Sequence, residues 1–229
     1  MRNVIAARKV VSSSDREKAL AVVEAVYRRE KKWIAEIGAE VPPDAGALAD
    51  RSWFLATVDG RPAGVIRLVY DPPLELPAEF EVTLDPKVDL AALRQRGRFV
   101  DIGRFMIVPR YRRNIRVVMR LMRAAVVEVV ERGYTHFLTS VFADDPHSPL
   151  GFHTRVFGFE RIGSHATGEL ACASIRILLI LDIARAYQRL RQRKNRVFRE
   201  LGGSVRDMMD GRLLAGRAGR AGHPVATET

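Results

Sequence analysis

Residues 99–123 read FVDIGRFMIVPRYRRNIRVVMRLMR, and this stretch decides the fold class. Phe99 to Val108 carries the β-branched and aromatic residues of a strand. Pro109 has no N–H to give to a ladder, so it marks the strand's exit. From Val117 the apolar residues fall at Val117, Val118, Leu121, Met122, Ala125, Val126 and Val129, one face of a helix expected over 116–132 with Gly133 at its end. Between strand and helix stand Arg110, Arg112, Arg113 and Arg116. The first N–H groups of a helix lack partners within it, so a helix start is an anion site, and arginines there suit a phosphate. CoA or a phosphopantetheine arm would supply one. The alternative is an ordinary solvated basic turn.

Outward from this unit the chain alternates strand and helix signals. Val4 to Val11 reads as a first strand. Ser12-Ser13-Ser14-Asp15 offers caps, with Glu17 three residues after Ser14, for a helix running to about Ile37. Trp53 to Val58, Asp59-Gly60 and Ala63 to Tyr70 form a hairpin signal. The three prolines in 71–77 demand a loop, and a short helix fits Leu90 to Arg96. Thr135 to Phe142 is a strand, 151–157 a short helix, and Glu160–Gly163 with Cys172–Leu181 a last strand pair. Ala184 to Leu201 is helical. The strand–helix–strand crossover at 99–142 makes the centre of the sheet parallel. The fold class is mixed α/β: a domain over 1–182, a basic C-terminal helix over 183–201, and a flexible, disordered tail over 202–229, where glycines are frequent and apolar periodicity is absent.

The chain has 229 residues, 47% hydrophobic and 28% charged, in the range of globular proteins. The start, MRNVIAARKV, lacks the apolar core of a signal peptide. The longest apolar patch, Ile175 to Ala184, is broken by Arg176 and Asp182 and is too short to span a bilayer. Cytoplasmic residence is the simplest expectation. One cysteine, Cys172, excludes an intramolecular disulfide, and no histidine pair has metal-ligand spacing beside a carboxylate. Of the net charge of +11, the segment from Ile183 onward carries +7, eleven Arg and Lys against four Asp and Glu. That charge suits nucleic acid, an anionic membrane surface touched peripherally, or an acidic protein. Interleaved aromatics for stacking bases are missing, so nucleic acid is not favoured.

The strand, arginine turn and helix resemble the GNAT acyltransferases, whose loop has the form Q/R-x-x-G-x-G/A. Here the loop is Arg110-Tyr111-Arg112-Arg113-Asn114-Ile115, without either glycine. Four segments resemble a branch of that fold, the acyl-homoserine lactone synthases and the related N-acyl amino acid synthases. They are Tyr27 with Trp33; Asp44; Ile66-Arg67-Leu68 with Asp71-Pro72-Pro73; and Asp101-Ile102-Gly103-Arg104-Phe105, which resembles E-x-S-R-F with Asp for Glu and Gly for Ser. Val23 stands where the lactone-forming enzymes carry an arginine. Asp145-Pro146-His147 and the segment 151–159 resemble the N-acyl amino acid synthases more closely, with Thr154 in the place of a tyrosine.

The resemblance implies a GNAT-like domain and an N-acyltransferase. Its donor would be an acyl, most simply fatty acyl, group on a pantetheine thioester that serves as co-substrate, with no tightly bound cofactor. The missing loop glycines and the basic surface favour acyl carrier protein over free CoA; an acetyl-CoA-dependent enzyme is the alternative, and a basic binding module the non-catalytic one. It implies Asp101 and Arg104 as catalytic residues, with Asp101 taking the amine proton. It implies donor contacts at Met106, Ile107, Val108, Arg112, Arg113, Asn114 and Arg116, with a backbone N–H near 106–108 facing the developing oxyanion. The acceptor, an amino acid or similar amine, would meet Tyr27, Trp33, Arg67 and His147, with Arg67 and Arg104 on its carboxylate. Asp101 and Arg104 are three apart in a strand and so face opposite ways, unless a bulge at Gly103 turns one of them.

Overall fold

The computed structural model describes residues 3–76, 78–172, 174–194 and 197–221, those from 216 on by backbone alone. The elements are β1 (Ile5–Lys9), α1 (Ser13–Val23), β2 (Arg51–Val58), β3 (Arg61–Tyr70), β4 (Thr83–Leu84), α2 (Leu90–Gln95), β5 (Phe99–Ile107), α3 (Ile115–Glu131), β6 (His136–Phe142), α4 (Leu150–Phe152), β7 (Glu160–His165), β8 (Arg176–Asp182), α5 (Ile183–Arg193) and α6 (Arg206–Ala221). The sheet order is β1-β2-β3-β5-β6-β8-β7-β4. Among the described strands only β5 and β6 run parallel, joined through α3, as the crossover required. The β2–β3 hairpin turns on Asp59 and Gly60, both at positive φ, 49° and 76°, the conformation that Asp-Gly favours in a two-residue turn.

Both faces of the sheet are covered, which is why β2 is buried almost throughout. Phe54, Ala56 and Val58 face α3 and the C-terminal helices. Trp53 and Leu55 face α1 with Val22, Val23 and Val26. A third cluster joins Leu93 of α2 to Phe99 and Ile180. No helix of the described residues is long and apolar enough to cross a membrane.

The first helix departs from its expected end near Ile37. After α1 it widens into a π-helical stretch, Glu24–Glu30, and stops. The wide turn lets the Trp33 N–H donate to the Tyr27 carbonyl (2.8 Å), and Lys32 takes φ 56°. The expected C-terminal helix breaks at Lys194, which adopts a left-handed conformation. The tail reading is corrected as far as the structure reaches. Residues 203–221 are helical, and Val205 and Met209 are buried in the main core. Arg212 donates to the carbonyls of Tyr134 and Val130, and Asp210 accepts from Tyr187 (2.9 Å) and Arg191 (2.5 Å). Residues 222–229 lie outside the described ones.

Candidate active site

β5 and β6 pair only from Phe99↔His136 to Ile102↔Thr139, although β5 continues to Ile107 and β6 to Phe142. The Thr139 hydroxyl donates to the Ile102 carbonyl (2.9 Å) where they part. A cleft of about 1050 Å³ occupies the opening. Tyr27, Trp33, Arg67, Asp101, Arg104 and His147 all line it, as do Met106, Ile107 and Arg112. Apolar side chains of the 72–93 segment, among them Leu74, Leu76, Phe80 and Leu90, form another part of its wall.

The expected conflict between Asp101 and Arg104 is resolved by a bulge. Arg67 pairs with Gly103 and Val65 with Met106, so β5 carries an extra residue opposite Ile66. The strain falls on Arg104, at φ 50°, rather than on Gly103. Gly103 does something else. An added Cβ there would stand 2.8 Å from a terminal nitrogen of Arg67, so its bare backbone makes room for the guanidinium.

The charges in the cleft are unequally matched. Arg104 donates through Nε to Glu40 (2.7 Å) and through a terminal nitrogen to Glu169 (2.9 Å). Arg67 makes no hydrogen bond or ion pair with a described residue, and its Nε is buried. Burial, then the neighbouring Arg104, pull its guanidinium down. Asp101 also forms no ion pair with a described residue. Burial pushes its carboxyl up to about 6, against the pull of Arg67 and Arg104. The Tyr27 and Trp33 rings meet tilted at 5.4 Å between centroids, and Trp33 and Phe142 tilted at 4.4 Å. Lys31 pairs with Asp145 (2.8 Å), whose other oxygen accepts from the exposed His147 N–H (2.8 Å). Burial works against the Asp145 carboxylate, but Lys31 holds it below its ordinary value.

The arginine turn divides. Arg112 faces the cleft but is clasped by Glu30 through two bonds (2.7 and 2.5 Å) and by the Ile107 carbonyl (3.1 Å). Hydrogen bonding to Arg112 holds the Glu30 carboxyl down. Arg113, Asn114 and Arg116 line a separate shallow depression with Arg110 and Asn3. Asn114 caps α3 itself, its side chain accepting from the Arg116 N–H (3.2 Å). The Val108 N–H is committed to the Ala63 carbonyl (3.0 Å), so it is withdrawn from the oxyanion role. The Thr154 hydroxyl donates within its own helix to Leu150 (2.9 Å).

Sequence reading missed Glu40 and Glu169, the partners of Arg104. Asp44, the loop acid it singled out, is exposed. Glu40 lies four residues earlier in the same loop, but no local pattern marks it. Glu169 stands in the β7–β8 connection, 65 residues from its partner.

Known proteins resemble this arrangement at two levels. By structure the chain is similar to FeeM, an N-acyl amino acid synthase from uncultured soil microbes, with 16% identity, a TM-score of 0.62, and coverage of 82% of this chain and 95% of that one. It is similar to a putative GNAT-family acetyltransferase from Desulfovibrio desulfuricans, at 16% identity and TM-score 0.53, covering 78% of this chain and 99% of that one. An aminoglycoside acetyltransferase in complex with coenzyme A matches at 15% identity and TM-score 0.50, covering 82% and 99%. No curated protein matches the chain. These likenesses show the GNAT fold. The family model for N-acyl amino acid synthase FeeM matches residues 18–179, a span that holds the parted strands, the bulge and every charged group of the cleft named above, and the chain therefore belongs to the FeeM family of N-acyl amino acid synthases and is a GNAT-fold acyltransferase.

Proposed function

We propose that this enzyme moves a fatty acyl group from a pantetheine thioester, presented by an acyl carrier protein, to the α-amine of an amino acid. The observation that carries the reading is the pairing pattern in the cleft. An unpaired carboxylate, Asp101, stands beside an unpartnered guanidinium, Arg67, while Arg104 is already bound to Glu40 and Glu169. An α-amino acid supplies what both lack, a carboxylate for Arg67 and an ionisable amine for Asp101.

The transfer then needs little else. The amine nitrogen attacks the thioester carbonyl carbon and forms the C–N bond. The carbonyl π pair moves to oxygen, where a backbone N–H of the parted edge meets it. Successive residues of a strand turn their N–H groups to opposite sides. With the Val108 N–H given to Ala63, that of Ile107 turns into the opening, which makes it the donor of choice. The C–S bond breaks on collapse, and sulfur leaves with the electron pair as a thiolate of pKa about 8.5, a leaving group that needs no strong acid. Asp101 takes the nitrogen's proton. An acid near 6 is well matched to an ammonium whose pKa is about 8.

Two features favour a long acyl chain on a carrier. The apolar wall from the 72–93 segment exceeds what an acetyl group would cover, and each buried methylene contributes about 0.8 kcal/mol. Arg113, Arg116, Arg120 and Arg123 recur from the turn into α3 at the spacing of one face, none in an ion pair with a described residue, and such a rim steers an acidic carrier. The test supplies matched acyl chains on carrier protein and on CoA, with each amino acid, across a salt series, and detects N-acyl amino acid by mass spectrometry. The expected result is product from the carrier with kcat/KM falling as salt rises, and Asp101→Asn slower by roughly 10²–10⁴-fold. No amide product with any amino acid would sink the reading, and equal use of acyl-CoA without salt dependence would sink the carrier.

A further inference from the structure

The bulge that turns Arg104 toward Asp101 creates a hazard. Arg67 already stands near Asp101 without bonding it, laid over Gly103; a second guanidinium freed beside the half-buried carboxylate would be drawn toward it, because the attraction is strong where water is scarce. A closed Asp101–Arg104 pair would occupy the lone pairs that the amine proton needs. In the structure that pair does not form. Glu40 holds Arg104 well only at Nε (2.7 Å), and its second contact, to a terminal nitrogen, is long at 3.4 Å. The far end of the fork is secured by Glu169 at 2.9 Å.

We propose that Glu169 is a positioning residue for acyl transfer, anchoring a terminal nitrogen of Arg104 and so holding its guanidinium off Asp101, which keeps the carboxylate open to the amine. The inference rests on the reading of Asp101 as the base. The segment that delivers Glu169 is a strap between β7 and β8, tied down without it. The Ala171 N–H donates to the Trp33 carbonyl (3.0 Å). Arg176 donates to the carbonyls of Ala166 (3.2 Å) and Leu170 (3.0 Å). The Thr167 hydroxyl reaches the Glu79 carbonyl (2.5 Å). The Glu169 side chain is 59% exposed and supports no core. Among the described residues its side chain meets Arg104 alone, which is the pattern of a group present for its charge.

The charged and titratable groups facing this point are Arg67 from β3, Asp101 and Arg104 from β5, Glu40 from the loop before β2, Tyr27 from the π-helical turn and Glu169 from the strap. Glu169 adds to the upward push that burial exerts on Asp101, while both arginines oppose it. Replacing it with a neutral amide removes one anion and releases one cation, and both changes favour the charged form of Asp101.

The test compares the parent, Glu169→Gln and Glu169→Asp. The carboxyl carbon of Asp101 is titrated by 13C NMR in protein labelled at aspartate, with Asp101→Asn assigning the signal, and kcat/KM is followed against pH. In Glu169→Gln the Asp101 midpoint should fall by about one pH unit, the acidic limb of kcat/KM should fall with it, and kcat should drop about tenfold with acceptor KM little changed. Glu169→Asp should restore most of each. An unmoved Asp101 midpoint in Glu169→Gln overturns the proposal, whatever happens to the rate. If the midpoint moves but the acidic limb never tracks Asp101, even in the parent, the positioning of Arg104 stands and the base assignment fails.

Discussion

At Gly103 a missing side chain decides where a charge lies. The resembling strand motif carries serine there, and this chain has the glycine over which Arg67 is laid. Gly103→Ser would restore the motif and evict the guanidinium, whose flexible far end can shift at little cost to the fold. With Arg67 as the seat of the acceptor carboxylate, KM for the amino acid should rise roughly 10–100-fold, the worth of a charge-assisted hydrogen bond, while the melting temperature stays within a few degrees. Steady-state kinetics with varied amino acid reads this directly; an unchanged acceptor KM would remove Arg67 from the acceptor site. Tyr27, Trp33, Arg67, Asp101, Arg104 and His147 stood out before the structure, since short motifs on strands, one helical stretch and one proline-containing loop marked them, and all six line one cleft. Glu40 and Glu169 were not. Both lie in irregular connections, and their partner is 64 and 65 residues away. A bulge, which no periodicity records, brings them to it.

The turn 109–114 and α3 show how one element can serve two sides. Arg112 is spent on Glu30 and ties the turn after β5 to the end of the first helical stretch. Arg113 and Arg116 line the neighbouring depression, the place proposed for the donor's phosphate. Arg113→Glu should therefore raise donor KM more than acceptor KM, by about tenfold or more with the carrier. Equal donor affinity in variant and parent, measured with both carrier and CoA thioesters, would clear the turn of any part in donor binding. The strand–turn–helix was readable because its apolar periods change from two to 3.6 at a proline. What each arginine touches was not readable, because four arginines within seven residues look alike until the fold assigns their partners.

Taken whole, the molecule is a sheet covered on both faces, and its C-terminal segment belongs to one of the covers. Glycine-rich composition concealed this: Val205, Met208, Met209 and Leu213 pack into the core at a helical spacing, but the glycines at 202, 203, 211 and 216 interrupt so short a pattern. Met209→Ala should cost about 2–5 kcal/mol and lower the melting temperature by roughly 5–15 °C. Truncation after Leu201 should do at least as much. A melt of the truncated chain that matches the full one would return the segment to the status of a tail. The order of strands has a further result for how the protein lives among its neighbours. Its two outer borders are poor templates for aggregation: β4 is two residues long, and β1 carries Arg8 and Lys9. The adhesive borders, from Gly103 to Ile107 and from Ser140 to Phe142, face each other inside the molecule. They lie in the middle of the strand order, away from its two outer borders, so the same gap that makes room for chemistry keeps the stickiest backbone off the rim where sheets join edge to edge.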